Sequence, residues 1–238
     1  MLLRKIAENF FFFIDEFIQQ KRIFLFLNNE KLKFNNLVID VGAHLGNYTN
    51  QVLKLNIKAK VFLFEPQKKY YQKLVNNYKN NHKIKVFNYA ISDKKKTLTL
   101  KINKHDLTTS LNSFKKTNSL FFFLKAFIFK ENPKNMISSR INIKTKILSN
   151  ILKKNKVRII DLIKIDTEGH DFNVILGLGK YINFSKYLIV EFHKKKTFEN
   201  YYPEKMHDYI LQNGFILKKV FKFPFLNFED RIYKNIKY

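Results

Sequence analysis

The chain has 238 residues, 45 of them basic and 19 acidic, with a formal net charge of +26 and 45% apolar residues. That is long enough for one sizeable core and too apolar for a disordered chain. It has no cysteine, which excludes disulfides, cysteine-ligated zinc, iron–sulfur clusters and a thiolate nucleophile. From Met1 to Leu27 the chain is rich in Phe and Leu, but Glu8, Asp15, Glu16, Lys21 and Arg22 interrupt the run. It has neither the cleavage site of a signal peptide nor the length to cross a bilayer. One or two amphipathic helices are expected, packed on the body of the protein, with Phe10–Phe13 at a membrane interface as the alternative. Residues 1–34 are read as a helical appendage and 35–238 as one domain. The expected compartment is the cytoplasm, with membrane association through the Phe-rich helices as the alternative.

The first buried strand is expected over Leu37–Val41 and its helix over Gly46–Leu55. A second pair follows, Val61–Phe64 and Lys68–Tyr78. Ile84–Tyr89 reads as a third strand, and Thr97–Ile102 alternates like an added antiparallel one. Residues 104–139 are long for a loop and are read as a lid or substrate-side insertion with a central helix. Then come a strand at Arg140–Ile147, a buried strand at Asp161–Asp166, a helix at Phe172–Tyr181 and a strand at Tyr187–Phe192. A helix at Pro203–Gln212 has Pro at its start and Gly214 past its end. Phe215–Val220 and Arg231–Asn235 are expected closing strands. Alternating strand and helix signals specify a doubly wound α/β fold with a mostly parallel sheet.

Two groups of residues carry chemistry. The first is Asp40, Gly42, Gly46 and Glu65. An apolar strand ends in an acid, a glycine-bracketed turn follows, and a second strand ends in a second acid. Glu65 stands nineteen residues after Gly46, near the spacing of a nucleoside-binding βαβ unit, where the second acid receives ribose hydroxyls. The glycines do not complete Gly-x-Gly-x-x-Gly. An acid at the end of the first strand would repel a pyrophosphate and suits a cationic ligand bearing an amine and a sulfonium. The second group is Asp166, Glu168 and His170, delivered by a buried strand into a turn, with Glu191 and His193 on one side of the next strand. These groups can serve as general base, substrate clamp or metal ligands. Asp171 reads as the N-cap of the following helix.

The segments Val38–Thr49, Phe64-Glu65-Pro66, Asn88–Asp93, Thr109-Ser110-Leu111, Leu162–Asp171 and Val190-Glu191 resemble FkbM-type S-adenosylmethionine-dependent methyltransferases, in the right order. Lys164-Ile165-Asp166-Thr167-Glu168-Gly169 is the most specific piece. The resemblance implies a seven-stranded, Rossmann-like class I methyltransferase sheet. It implies methyl transfer to an oxygen of a sugar, glycan or secondary metabolite. By position, Gly42, Ala43, His44 and Gly46 would line the methionine end of the donor. Asp40 would orient that end directly or through water. Glu65 and Pro66 would lie at the ribose, and Ile91, Ser92 and Asp93 at the adenine. Asp166 would face the methyl-transfer zone.

An alcohol acceptor holds its proton tightly, so a base is expected. Asp166 is the first candidate, with His170, Glu168 and His193 behind it. No metal is assigned. Asp166 and Glu191 are the pair able to hold Mg²⁺ through oxygen, and the same carboxylates can instead bind the donor amine or acceptor hydroxyls. Two rival readings remain at this level. The +26 charge suggests an RNA methyltransferase, although codon bias alone also raises lysine content. The apolar segments Phe10–Phe13 and Leu120–Phe129 suggest a non-catalytic, membrane-peripheral binding module. The sequence is silent on oligomeric state.

Overall fold

Strand β1 (Leu37–Val41) is buried along its whole length, as an apolar run flanked on both faces requires. The computed structural model describes residues 20–55, 57–103, 137–193, 198–222 and 228–238. Helix α1 (Gln20–Asn29) precedes β1. It is followed by α2 (Asn47–Leu53), β2 (Lys60–Phe64), α3 (Lys68–Tyr78), β3 (Ile84–Phe87), β4 (Ala90–Ile91), β5 (Thr97–Asn103) and β6 (Ile137–Lys146). The second half runs α4 (Leu148–Lys154), β7 (Ile160–Ile165), α5 (Asp171–Gly177), a 3₁₀ helix (Gly179–Phe184), β8 (Ser185–His193), α6 (Pro203–Gln212), β9 (Phe215–Lys222) and β10 (Phe228–Asn235).

Seven strands form one sheet in the order β3-β2-β1-β7-β8-β10-β9. The first five are mutually parallel, and β10 runs antiparallel to both neighbours. The chain moves outward from β1 to β3, then restarts on the other side of β1 with β7. The strand order therefore reverses between β1 and β7, the switch point where open α/β sheets bind ligands beyond their carboxyl ends.

The sheet separates two apolar layers. Ile39, Val41, Ile163, Ile165, Leu188 and Val190 pack with Leu148 and Leu152 of α4, Val174 and Ile175 of α5, and Met206 and Ile210 of α6. Val38, Leu63, Leu162 and Ile189 pack with Ile23 and Leu27 of α1, Val52 of α2 and Leu74 of α3. Each such fully buried side chain contributes roughly 1.5–3 kcal/mol. Alternation along the strands puts Asp40, Lys164 and Glu191 on the second of these faces, at its carboxyl end.

Several expectations are refined. Thr97–Ile102 pairs antiparallel with β6 as expected, but in a separate sheet of order β4-β6-β5. The helix expected over Phe172–Tyr181 ends at Gly177 and continues as the 3₁₀ turn. Helix α4 is an addition to the expected elements; its short apolar signal is Leu148, Ile151 and Leu152, of which Leu148 and Leu152 are buried. Strand β6 begins at Ile137, inside the expected insertion. The rest of that insertion, including Thr109-Ser110-Leu111 and Leu120–Phe129, lies outside the described residues, as does Phe10–Phe13. Among the described residues no helix is long and apolar enough to cross a membrane.

Candidate active site

The β1 turn lies directly against the end of β7. A Cβ on Gly42 would sit 1.9 Å from the Asp166 carbonyl oxygen, and its φ is +86°. Only glycine allows both the approach and the dihedral. The Gly42 and Ala43 amides donate to the Phe64 carbonyl at 3.0 and 3.2 Å, which ties the turn to the end of β2. The next amide, that of His44, donates to Glu65 Oε2 at 2.9 Å, and the Gln67 amide donates to Oε1 at 2.8 Å. The His44 ring lies 3.9 Å from that of Tyr70, centroid to centroid. Glu65 is buried, and burial pushes its carboxyl up to about 7 against the pull of the two amides. Asn88 Nδ2 donates to the Glu65 and Pro66 carbonyls at 2.9 and 3.0 Å, holding that loop from the next strand end.

Asp40 is 0% exposed. Its Oδ2 accepts from Thr49 Oγ1 at 2.7 Å, and its Oδ1 lies 3.9 Å from Lys164 Nζ. Burial raises its pKa, with Lys164 and Thr49 acting against the rise. Asp40 bears on Lys164 and on α2, and its Oδ1 has no hydrogen-bond partner among the described residues. Thr49→Val keeps the shape of the side chain and removes the bond. It is expected to cost about 1.5–3 kcal/mol in chemical denaturation, since a charged acceptor loses its hydroxyl donor.

Lys164 joins this group to the next and is not among the residues that the sequence singles out. Its Nζ donates to Asp166 Oδ2 at 2.8 Å and lies 5.5 Å from the centre of the Tyr48 ring. The Asp166 side chain is 35% exposed. Burial would raise its pKa, but Lys164, with His193 and a hydrogen bond to Glu191 beside it, holds the carboxyl below its ordinary value. Asp166 is thus an ionised carboxylate at the mouth of the β1–β7 crevice.

The turn after β7 is fixed from within. Asp171 Oδ1 accepts from the Thr167 amide and hydroxyl, both at 2.8 Å, and Oδ2 accepts from the Gly169 amide at 3.1 Å. Asp171 lies inside α5, and His170 holds the cap position. The N-cap reading of Asp171 is therefore corrected: its carboxylate gathers the amides of the preceding turn. Glu168 and Gly169 both adopt positive φ, +51° and +88°, which curls those amides inward. A Cβ on Gly169 would lie 2.5 Å from the Phe198 ring, so glycine lets the turn close on that ring.

His170 lies apart from the acids as a hydrogen-bonding group. Its Nε2 is 3.0 Å from Ser92 Oγ, while the Ser92 hydroxyl donates to Asp93 Oδ1 at 2.9 Å. A hydroxyl has one proton, so His170 must donate from Nε2. Burial pushes its pKa down to about 4, with Lys96 adding to the effect. His170 is a neutral donor that positions Ser92, and its candidacy as a base is withdrawn on that ground. Asp93 also accepts from Asn173 Nδ2 at 3.1 Å, and Ile91 is buried beside them.

The end of β8 completes the site. His193 Nε2 is 2.6 Å from Glu191 Oε2 and 3.9 Å from Glu168 Oε2. Glu191, His193 and Glu168 offer ligand atoms within 4.8 Å of one another. Burial pushes the Glu191 pKa up strongly, with Asp166, Asp230 and Asp171 adding to it. The His193 ring is packed by Phe198 at 4.8 Å, Phe228 at 5.6 Å and Tyr201 at 6.0 Å. The Tyr201 hydroxyl accepts from the His193 amide at 3.0 Å.

The residues fit a cationic nucleoside donor. The glycine turn lies at the switch point, with Gly42 against the end of β7. Tyr48 keeps a buried hydroxyl with no hydrogen-bond partner among the described residues. Carboxylates rather than phosphate-binding groups line the strand ends. Comparison with known proteins agrees. The model of the methyltransferase FkbM domain matches residues 40–217. The 2-O-methyltransferase NoeI of Sinorhizobium fredii (strain NBRC 101917 / NGR234) is 21% identical over 174 residues, covering 70% of this chain and 67% of that protein. A crystal structure from Pyrococcus horikoshii, assigned as an RNA methyltransferase, shares the fold with a TM-score of 0.50 at 13% identity, covering 92% of this chain and 83% of that one. The matched span carries the glycine turn and the ends of β1, β2, β7 and β8, and on it the chain belongs to the FkbM family of S-adenosylmethionine-dependent methyltransferases.

Proposed function

We propose that the protein methylates a hydroxyl oxygen on a sugar, glycan or hydroxylated secondary metabolite. The observation that carries this reading is the set of acids and one imidazole (Asp166, Glu168, Glu191 and His193) at the ends of β7 and β8, beside the glycine turn of β1. When bound, S-adenosylmethionine supplies a methyl group on a positively charged sulfur. The backbone of Gly42, Ala43, His44 and Gly46 would line its methionine end. Asp40 would act there through Thr49 and Lys164. Glu65 would accept the ribose hydroxyls with the lone pairs that its two backbone donors leave open. Ile91, Ser92 and Asp93 would border the adenine. Asp166 would receive the proton of the acceptor hydroxyl, and alignment of the two reactants can contribute about 7–11 kcal/mol. The similarity to NoeI supports an oxygen acceptor. An RNA acceptor fits the +26 charge, but the acids at this end would repel a phosphate backbone.

The test is methyl incorporation from labelled S-adenosylmethionine into panels of glycans, small hydroxylated metabolites and RNA. Label on a glycan or metabolite oxygen is expected. Label confined to RNA would overturn the reading.

Donor binding gives a second check. Glu65→Ala is expected to weaken S-adenosylmethionine affinity at least tenfold in calorimetry, for lost charge-assisted bonds of about 1.5–3 kcal/mol. Glu65 titrates near 7, so the protonated form, which loses acceptor capacity, dominates below that pH. Wild-type affinity is expected to rise with pH through about 7 and level off above it, while Glu65→Gln shows no such rise. The raised pKa also means that the donor-free protein loses stability from this group as pH rises from its unfolded value toward 7. A flat wild-type affinity profile would remove Glu65 from the donor site.

A further inference from the structure

We propose that Glu168, Glu191 and His193 form a binding site for one divalent transition-metal cation of the Mn²⁺, Fe²⁺ or Zn²⁺ kind, beside Asp166. The inference extends the hydroxyl-methylation reading and rests on it for its purpose, not for its geometry.

Three side chains from two elements converge on one point. His193 Nε2 is the shared neighbour, 2.6 Å from Glu191 Oε2 and 3.9 Å from Glu168 Oε2. Adjacent ligand atoms on a first-row cation lie roughly 3 Å apart, given bonds of about 2.0–2.2 Å. The three atoms therefore need only a small spread to admit an ion. Their supports are already fixed. Asp171 ties the turn that carries Glu168, and Gly169 lets that turn close on Phe198. Phe198, Phe228 and Tyr201 hold the plane of the His193 ring. This packing restricts rotation of the ring that carries Nε2.

The donor set selects the ion. Mg²⁺ and Ca²⁺ favour all-oxygen ligands, whereas an imidazole with two carboxylates suits Mn²⁺, Fe²⁺ or Zn²⁺. Lys164 is held by Asp40 and Asp166.

The purpose follows from Asp166. An alcohol does not readily yield its proton to a carboxylate that already accepts a hydrogen bond from a lysine, as Asp166 does from Lys164 at 2.8 Å. A cation at Glu168, Glu191 and His193 would lower the pKa of a hydroxyl placed between it and Asp166. The O–H bond then breaks toward Asp166. The new C–O bond forms as the C–S bond breaks, and its electron pair stays on sulfur as a neutral thioether.

The experiment uses the full chain, stripped with a chelator, and Mn²⁺ alone as the probe. Free Mn²⁺ is followed by electron paramagnetic resonance during titration. One equivalent bound per chain is expected. Glu191→Gln and His193→Gln should each weaken binding at least tenfold. Glu168→Gln, at a side chain 19% exposed and so safe for folding, should do the same. Thermal melts check the fold of each variant, and calorimetry with S-adenosylmethionine should give wild-type donor affinity in all three. Loss of Mn²⁺ binding with donor affinity kept supports the site. Absence of stoichiometric Mn²⁺ binding in the wild type overturns it, as does binding that survives all three substitutions. A wild-type protein that binds one Mn²⁺ through these residues but no S-adenosylmethionine would uphold the cation site and strike the methyl-transfer reading alone.

Discussion

Lys164→Met is expected to lower the stability of the protein by about 3–5 kcal/mol, the range for removing one partner of a buried charge group. For a chain of this size that is a fall in melting temperature of roughly 6–20 °C. The reason is the position of Nζ, 2.8 Å from Asp166 Oδ2 and 3.9 Å from the fully buried Asp40 Oδ1. Methionine fills the volume but leaves two carboxyls facing each other without a cation. The effect carries a pH signature. Lys164 holds the Asp166 pKa below its unfolded value, so the stability it confers is complete above that unfolded value and is lost as pH falls through the folded one. The gap between wild type and variant should therefore be widest at neutral pH and close in acid. Melts that coincide within a degree at pH 7 would show that Lys164 is not the counter-ion of this site.

Lys164 also marks where the sequence stops being legible. Strands β1, β2 and β7 and their acids follow from local patterns. Apolar runs of strand length end in Asp40, Glu65 and Asp166, and the glycines of the turn between the first two are visible locally although what demands Gly42 is the distant Asp166 carbonyl. Pro203–Gln212 is likewise local, with its Pro start and Gly stop, and it forms over that span. A signal for Lys164 is present, because a lysine between Ile163 and Ile165 in a buried strand must find a partner and alternation points it the way of Asp166. It is lost among the chain's many lysines. The convergence of Glu168 with Glu191 and His193 is not readable at all. It depends on β7 and β8 being neighbours in register, Ile165 beside Val190, a long-range pairing. The role of His170 depends on one bond to Ser92, seventy-eight residues earlier. Its place in a turn rich in acids argues for catalysis, and tertiary packing decides otherwise.

Asp166→Asn is expected to lower turnover by about 10²–10⁴-fold, the usual contribution of a positioned base, while donor affinity stays at the wild-type value. The amide keeps the shape of the carboxylate and can still accept a hydrogen bond from Lys164, but it removes that lysine's nearest counter-charge, so the melting temperature is expected to fall as well and rates are compared well below it. It cannot take a proton. The measurement is the rate of methyl transfer to the acceptor identified by the incorporation screen, read beside calorimetry with S-adenosylmethionine. A fall in rate with unchanged affinity separates loss of the base from damage to the donor pocket, since the Gly42 turn lies against the Asp166 backbone and would report distortion as weaker binding. Wild-type turnover in the variant would remove Asp166 from the mechanism.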